Sequence, residues 1–513
     1  MPQANWLDRA ISYVSPRSAE RRTEARTRMQ RAALTRNVYE AASVGRRTQG
    51  WRAVGTDANV ETRTAGGRLR DVARDMVRNN AHAASAKLVI TNNAVGAGLL
   101  PRVMADRAGR AAQIKALLTR HFDTTDIDAD GRLNLYGLQA LALGTIVEAG
   151  EVLIRKRIRR PSDGFALPFQ IQVLEPDYLD TTIDGPQPNG NYAIQGIEFN
   201  AIGRRVAYYL FDQHPGSLML GRRMATRGQR VSADFVAHVY RVDRPGQVRG
   251  VSWFAPVILR MRDFADYTDA QLIRQKIAAC FAAFITTDED GDFGVPNADG
   301  TIQPPDPQGN YPVESFEPGM VERLRSGESV SFATPPTTQD FGPYASATLH
   351  EVAAGLGIPF ETLTGNLGEV SFISGRLGRI NFRSNVDAWR WNMLVPQMLD
   401  PLAAWTLEAA AVATGSTEPF RLGWTPPRWE MLNPAEEIAA AKDAIRSGLS
   451  WLSEEQRVAG YDPEDVRAGI LEDLAWLDAN EVTLDVDPRR VTNRGVAQKN
   501  ADPNAPDPAD SSR

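Results

Sequence analysis

Two hydrophobic spacings alternate along the chain and divide it into helical and stranded parts. Leu69, Val72, Met76 and Val77 recur every three to four residues, which predicts a helix from about Arg68 to Asn93, ended by Gly96, Gly98 and Pro101. Two more helices are predicted, at about Ala111 to Asp123 and Leu133 to Ala149. From Glu151 the period drops to two in EVLIRKRIRR, FQIQVLEP, YAIQGIEFN, RRVAYYLFD and FVAHVYRV, separated by Gly, Pro and Asn clusters. That pattern predicts a mostly antiparallel sheet. The helical period returns after Ser252, a capping residue, and runs from Trp253 to Ile285, about 50 Å of helix.

Residues 288 to 336 are rich in Pro, Gly and acids, with strand-like pieces GMVERL and ESVSFA, and read as a small insert between helices. The stretch from Leu349 to Gly415 reads as a short helix closed by glycines, a polar glycine-rich loop and a helix of roughly 35 residues. On that helix Phe382, Val386, Trp389 and Met393 form an apolar stripe. Arg379, Arg383 and Arg390 fall within about 60° of Arg376 on a separate face, with Asp387 among them. Such a face suits either phosphate contact or ion pairs between subunits. After a linker with Pro419, Pro426 and Pro427, an alanine-rich helical unit is predicted from Pro434 to Ala479, turning at Gly448 and Gly460. The end, NADPNAPDPADSSR, has nothing to pack a core with and is expected to be disordered.

Composition adds limits rather than a function. A chain of 513 residues, 42% hydrophobic and 24% charged, has room for several modules and a large core. No apolar run approaches the roughly 18 residues of a membrane span, and no secretory segment opens the chain, so cytoplasmic synthesis is expected. The lone Cys280, on an alanine-rich helical pattern, reads as a buried thiol. A net charge of −5 excludes a generally basic nucleic-acid binder, although the first 80 residues carry 16 arginines against 8 acids.

Candidate chemistry is sparse. His350 and Glu351 open a zinc-protease pattern whose second histidine position holds Ala354. Asp126, Asp128, Asp130 and Gly131 match half of a calcium loop, but Gly137 stands where the bidentate glutamate belongs, so a solvated acidic turn is expected. VGAGLL lacks the third glycine of a dinucleotide loop, and no phosphate-cradling or nucleophile-elbow motif occurs. No catalytic residue, metal or cofactor is expected.

Ordered blocks supply what single motifs do not. YEAASVGRRTQGW (39–51), LRDVARDMVRNNAHA (69–83), NNAVGAGLLPR (92–102), EAGEVLIR (148–155) and LEPDYLD (174–180) come first. RGVSWFAPVILRMRD (249–263), EPGMVERLRSGESVSF (317–332) and VAAGLGIPFETLTG (352–365) follow. From about Tyr39 to Asp478 the chain resembles the portal proteins of tailed double-stranded DNA bacteriophages, in the lambda-like branch. The resemblance implies an α+β, multi-domain portal fold of wing, stem, clip and crown, mainly helical, with an antiparallel sheet in the wing and small strands in the clip. It places a basic arm at 1–38, the wing at 39–250, a stem helix at 251–287, the clip at 288–337 and a second stem helix at 338–361. The channel loop would be 362–375, the long wing helix and linker 376–433, the crown 434–478 and a disordered tail 479–513.

The same resemblance implies a non-enzymatic ring, usually a dodecamer, at one capsid vertex of the virion, assembled in the host cytoplasm. Double-stranded DNA would pass through it non-specifically during packaging and ejection. Its partners would be other copies of itself, the terminase large subunit, a head-tail adaptor, and the major capsid protein and scaffold, with no membrane. Thr364, Gly365, Asn366, Gly368, Ser371, Phe372 and Ser374 would form the channel loop. Arg376, Arg379, Arg383 and Arg390 would contact DNA or a neighbouring subunit, and Asp288, Glu289, Asp290, Glu322, Arg323 and Arg325 would meet partners at the clip. Ile373 replaces a serine that such proteins usually carry, which makes the loop more apolar. The alternatives are another structural head-tail connector, which would be much shorter, or a metal-dependent hydrolase using His350 and Glu351.

Overall fold

The computed structural model describes residues 11, 13–36, 46, 49–50, 54–217, 227–279, 283–287, 295–296, 302–303, 328–332, 341–368, 371–431, 433–482 and 484. Cys280, the GMVERL piece and the C-terminal residues 485–513 lie outside them. The chain divides into two units, residues 1–57 and 58–513. In the first, the arginine-rich segment forms helix α1 (Pro16–Arg36), begun by a proline whose fixed φ suits a first helical position.

The second unit opens with α2 (Ala58–Asn79) and α3 (Ala81–Ala94). The single helix expected over Arg68–Asn93 is therefore broken at Asn80. This residue is extended, and its side-chain oxygen accepts hydrogen bonds from the N–H groups of His82 and Ala83 at 3.0 and 3.1 Å, starting a new helix. Leu69, Val72, Met76 and Val77 pack against the core as their spacing predicts. Strand β1 (Leu100–Met104), α4 (Ala108–Phe122) and α5 (Leu135–Ala149) follow. The acidic turn before α5 is not solvated throughout: Asp128 is buried, and its carboxylate accepts the N–H groups of Asp130, Arg132 and Leu133 at 2.9 to 3.0 Å.

The strands are β2 (Glu151–Ile158), β3 (Phe169–Leu174), β4 (Gly185–Pro186), β5 (Tyr192–Ile194), β6 (Ile197–Phe199), β7 (Arg205–Leu210), β8 (Gln229–Ser232) and β9 (Val236–Tyr240). They form two antiparallel sheets rather than one, ordered β3–β2–β9 and β4–β5–β6–β7–β8. YAIQGIEFN, expected as one strand, is a hairpin. Gln195 and Gly196 both take positive φ, 48° and 83°, the tight turn whose twist matches its strands.

Helix α6 (Ile258–Ala279) is shorter than the predicted span from Trp253 to Ile285: turns precede it, and β10 (Ala283–Thr287) lies beyond it. Ile285, Thr286 and Thr287 are β-branched and favour the extended chain that pairs with β13 (Glu328–Phe332). Its 22 residues make about 33 Å of helix. A second small pair joins β11 (Val295–Pro296) to β12 (Ile302–Gln303). Helix α7 (Phe341–Leu356) then returns antiparallel to α6. Tyr267 meets the rings of Phe341 and Tyr344 at 5.9 and 4.6 Å, and Arg260 meets Glu351 at 3.3 Å.

A short helix, α8 (Phe360–Thr364), precedes the long helical path. That path runs as α9 (Phe372–Trp389), a π-helical stretch Arg390–Leu399, and α10 (Asp400–Thr414), and so exceeds the expected length. Pro396 lies inside the π stretch. A proline there offers no N–H and crowds the preceding turn, which the wider coil accommodates. In the proline-rich linker, β14 (Arg421–Thr425) forms an unpredicted antiparallel pair with β1. The chain continues through α11 (Pro434–Arg446), α12 (Leu452–Val458) and α13 (Pro463–Ala479), with positive-φ Gly448 and Gly460 between them.

One large core joins α3, α5, β2, the start of α6, and the α9 to α10 path, with Phe122, Phe169, Trp253 and Phe254 fully buried in it. Phe382, Val386 and Met393 are buried there, as their stripe predicts. A smaller core of Leu153, Leu179, Ile197, Tyr208 and Leu210 lies by the five-stranded sheet. Among the described residues no helix is long and apolar enough to cross a membrane.

Candidate functional site

The loop between α8 and α9 is shorter and better anchored than its sequence suggests. Thr364 is the last residue of α8, its hydroxyl donating to the Phe360 carbonyl at 2.9 Å, and Gly365 ends that helix with φ +72°. Ser85 on α3 donates to the Leu363 carbonyl at 2.9 Å, tying α8 to the core. Asn366 bends the exposed segment back: its side-chain oxygen accepts the Gly368 N–H at 3.0 Å. Ser371 caps α9 by accepting the Ser374 N–H at 3.2 Å, so Phe372 and Ser374 belong to the first turn of the helix and not to the loop.

The four arginines of α9 do not share one environment. Arg376 is exposed and Arg379 half-buried, and neither has a hydrogen-bond or ionic partner among the described residues. Arg383 instead lies over the Trp429 ring at 5.0 Å and donates to the Glu430 carbonyl at 3.0 Å. Burial makes Arg383 a weaker base, and repulsion from Arg379 adds to this. Arg390 leaves the predicted face altogether and is 1% exposed. Its Nε and Nη2 donate to the carbonyls of Ala94 and Asn93 at 2.7 and 2.8 Å, and its guanidinium also lies over the Trp429 ring at 4.8 Å. Those carbonyls are the unpaired C-terminal groups of α3, so Arg390 closes a helix rather than contacting DNA or another subunit. Asp387, at 3.4 Å, opposes the loss of basicity that burial causes.

A buried charge cluster that sequence reasoning missed fixes the base of α6 to the sheets. The Glu151 carboxylate, 1% exposed, receives Arg249 Nε at 2.8 Å, His238 Nε2 at 2.9 Å and the Gly250 N–H at 2.8 Å. Burial alone would raise its pKa, but the Arg249 charge and the His238 contact hold the carboxyl well below the usual range. Burial lowers the His238 pKa against the pull of Glu151. The backbone crossing there is tight. A Cβ on Gly150, at φ +92°, would lie 2.4 Å from the Val251 carbonyl carbon, and one on Gly250 would lie 2.2 Å from the Gly150 oxygen. The Trp253 N–H donates to the Val147 carbonyl at 3.1 Å, completing the weld. Glu151 and Arg249 each lie inside one of the ordered sequence blocks, but they are 98 residues apart and no local spacing links them.

Metal chemistry finds little support in the geometry. His350 bonds the Ser346 carbonyl through Nδ1 at 2.8 Å and stacks on Phe360 at 3.9 Å, while Glu351 pairs with Arg260. Glu175, Asp177 and His214 bring three ligand atoms within 4.8 Å. However, Arg74 lies 3.2 Å from Glu175 and is hydrogen-bonded to Asp177, and Arg70 is 3.3 Å from Asp177, so arginines already neutralise those acids. The clip residues Asp288, Glu289, Asp290, Glu322, Arg323 and Arg325 lie outside the described residues.

Comparison with known proteins places this architecture. The chain is 26% identical over 422 residues to the probable portal protein of Halomonas phage phiHAP-1, covering 79% of this chain and 80% of that protein. It is 23% identical over 303 residues to the portal protein of Escherichia phage N15, covering 53% of this chain and 57% of that protein. Among solved structures, a chain from the neck of an empty gene transfer agent particle aligns with a TM-score of 0.45 and 16% identity, covering 83% of this chain and 99% of that chain. The profile of phage portal proteins of the lambda family matches residues 44–390. This match covers more than half of the sequence, and the chain belongs to the lambda family of phage portal proteins.

Proposed function

We propose that the chain is the repeating subunit of a portal ring at one capsid vertex, through which double-stranded DNA enters during packaging and leaves at ejection. The observation that carries this reading, given the family, is the antiparallel pair α6 and α7 bracketing small strand pairs. Two packed helices joined by an insert that carries small strand pairs would make a stem and clip, and the buried Glu151 cluster would set the stem's angle to the sheets of the wing. The clip would dock the terminase large subunit and later a head-tail adaptor, while the wing would meet the major capsid protein and scaffold. In this reading the arm is 1–38, the wing 39–250, the stem 251–279 and 338–361, the clip 283–337 with β10 inside it, and the crown 434–478. The loop at 365–371, exposed at residues 365–368, would line the channel, with the tunnel-loop range reduced by the helical turns at both its ends.

An overall charge of −5 supports passage rather than capture, because a conduit that neutralised many phosphates would hold its cargo. The subunit acts mechanically and needs no catalytic group of its own. Negative-stain imaging of the purified chain is the test. Closed rings with a stained central hole are expected, whereas monomers and open oligomers under every assembly condition would overturn the reading.

A further inference from the structure

The C-terminal helical unit has almost no interior. Within residues 434–479 only Pro463 and Leu477 are buried, whereas Leu449, Trp451, Leu452, Leu471 and Trp476 are exposed, Leu449 by 84%. Apolar surface on this scale marks a contact face. Helix α13 is also acidic, with Glu464, Asp465, Glu472, Asp473 and Asp478 against Arg467. Glu472 and Asp473 are exposed, with no ionic partner among the described residues.

The first half of α9 has the complementary character. Ile373, Leu377 and Ile380 are four and three residues apart, share one face, and are 72%, 59% and 48% exposed. On one flank of that face Arg376 lies about 60° around the helix from Ile373, and Arg379 about 60° further on, both without partners among the described residues.

We infer that this α9 face of one copy receives the C-terminal half of α13 from the next copy in the ring. Leu377 and Ile380 pack against Leu471 and Trp476, and Arg376 and Arg379 pair with Glu472 and Asp473. The inference rests on the ring reading above and supplies the two unlike patches that a head-to-tail ring interface requires. Duplex DNA is a poorer occupant of the α9 face, since its phosphates suit the arginines but leave the three apolar side chains against a polyanion. Two α13 helices are a poor pair as well, because their acids repel.

The test uses the full chain under conditions where the wild type closes rings, with ring fraction read by mass photometry and folding by circular dichroism. R376E/R379E and E472R/D473R are each expected to lower ring closure by about tenfold while staying folded. The chain carrying all four substitutions is expected to close rings again. Either double variant closing rings like the wild type overturns the inference, as does a four-substitution chain that stays deficient. Intact R376E/R379E rings that lose DNA retention would assign the arginines to DNA instead. A wild type that never leaves the monomer would overturn the ring reading itself, an outcome distinct from rings that ignore the charge reversals.

Discussion

Glu151 and Glu472 are carboxylates on regular elements of the same chain, one at the start of β2 and one in α13, and their surroundings are opposite. Glu151 is buried against Arg249, His238 and a backbone N–H, and the nearby core is apolar and closed. Glu472 is exposed on a unit whose apolar side chains are exposed as well. Buried charge is tolerated only when paired and hydrogen-bonded, so the region around β2 is complete within one subunit. Helices as short as α12 gain most of their stability from packing, so the C-terminal unit depends on contacts beyond its own chain. The contrast separates the part of the subunit that folds alone from the part that assembly finishes.

The strongest way to break the contrast is at Glu151. Glu151→Ala leaves the Arg249 and His238 side chains buried without their acceptor and is expected to cost about 4 kcal/mol in denaturant unfolding. A loss no larger than that of a surface substitution would contradict the completeness of this region. Next comes His121, fully buried with its ring near those of Phe122 and Phe169, whose pKa burial lowers to about 4. Below its ordinary value near 6.5 the unfolded chain takes up a proton that the folded one refuses. Stability is therefore full above about pH 6.5 and falls by about 3 kcal/mol as pH drops toward 4. Thermal melts across that range should show the slope, and His121→Phe should flatten it.

Arg390→Ala removes the donors that close α3 and is expected to cost about 2 kcal/mol, with faster amide exchange at the end of that helix. The smallest effect sharpens the other side of the comparison. Leu471→Ser is expected to change the stability of the isolated subunit by less than about 0.5 kcal/mol by urea unfolding, because its side chain is 68% exposed there. A large loss there would mean that the unit has an interior after all.

How much of this was legible in the sequence depended on the range of the interaction. Phe382, Val386 and Met393 declared a core face because three- and four-residue spacing is local, and the same holds for Leu69, Val72 and Met76. The β1–β14 pair was hidden because its two strands are joined through more than 300 residues of chain, and a proline-rich stretch does not advertise a partner. Alanines and phenylalanines carried the helical reading past Ala279, although the β-branched run Ile285 to Thr287 marked the strand. Asn80 followed another asparagine inside an unbroken helical pattern, so its cap did not stand out. The arginine stripe was drawn on an ideal 100° helix. Burial of Arg390 against the end of α3 depends on tertiary packing that such a projection does not contain.

A cryo-EM reconstruction of the assembled full-length ring tests the account most directly. It should show a closed ring whose sheets, stem base and Glu151 cluster match those of the single subunit. The α9 face at Leu377 and Ile380 should be covered by α13 of the neighbour, and residues 365–371 should line the channel. A ring in which α13 stays exposed, or in which the α9 face points at DNA with no neighbour against it, would contradict the division into a self-sufficient region and one completed by assembly.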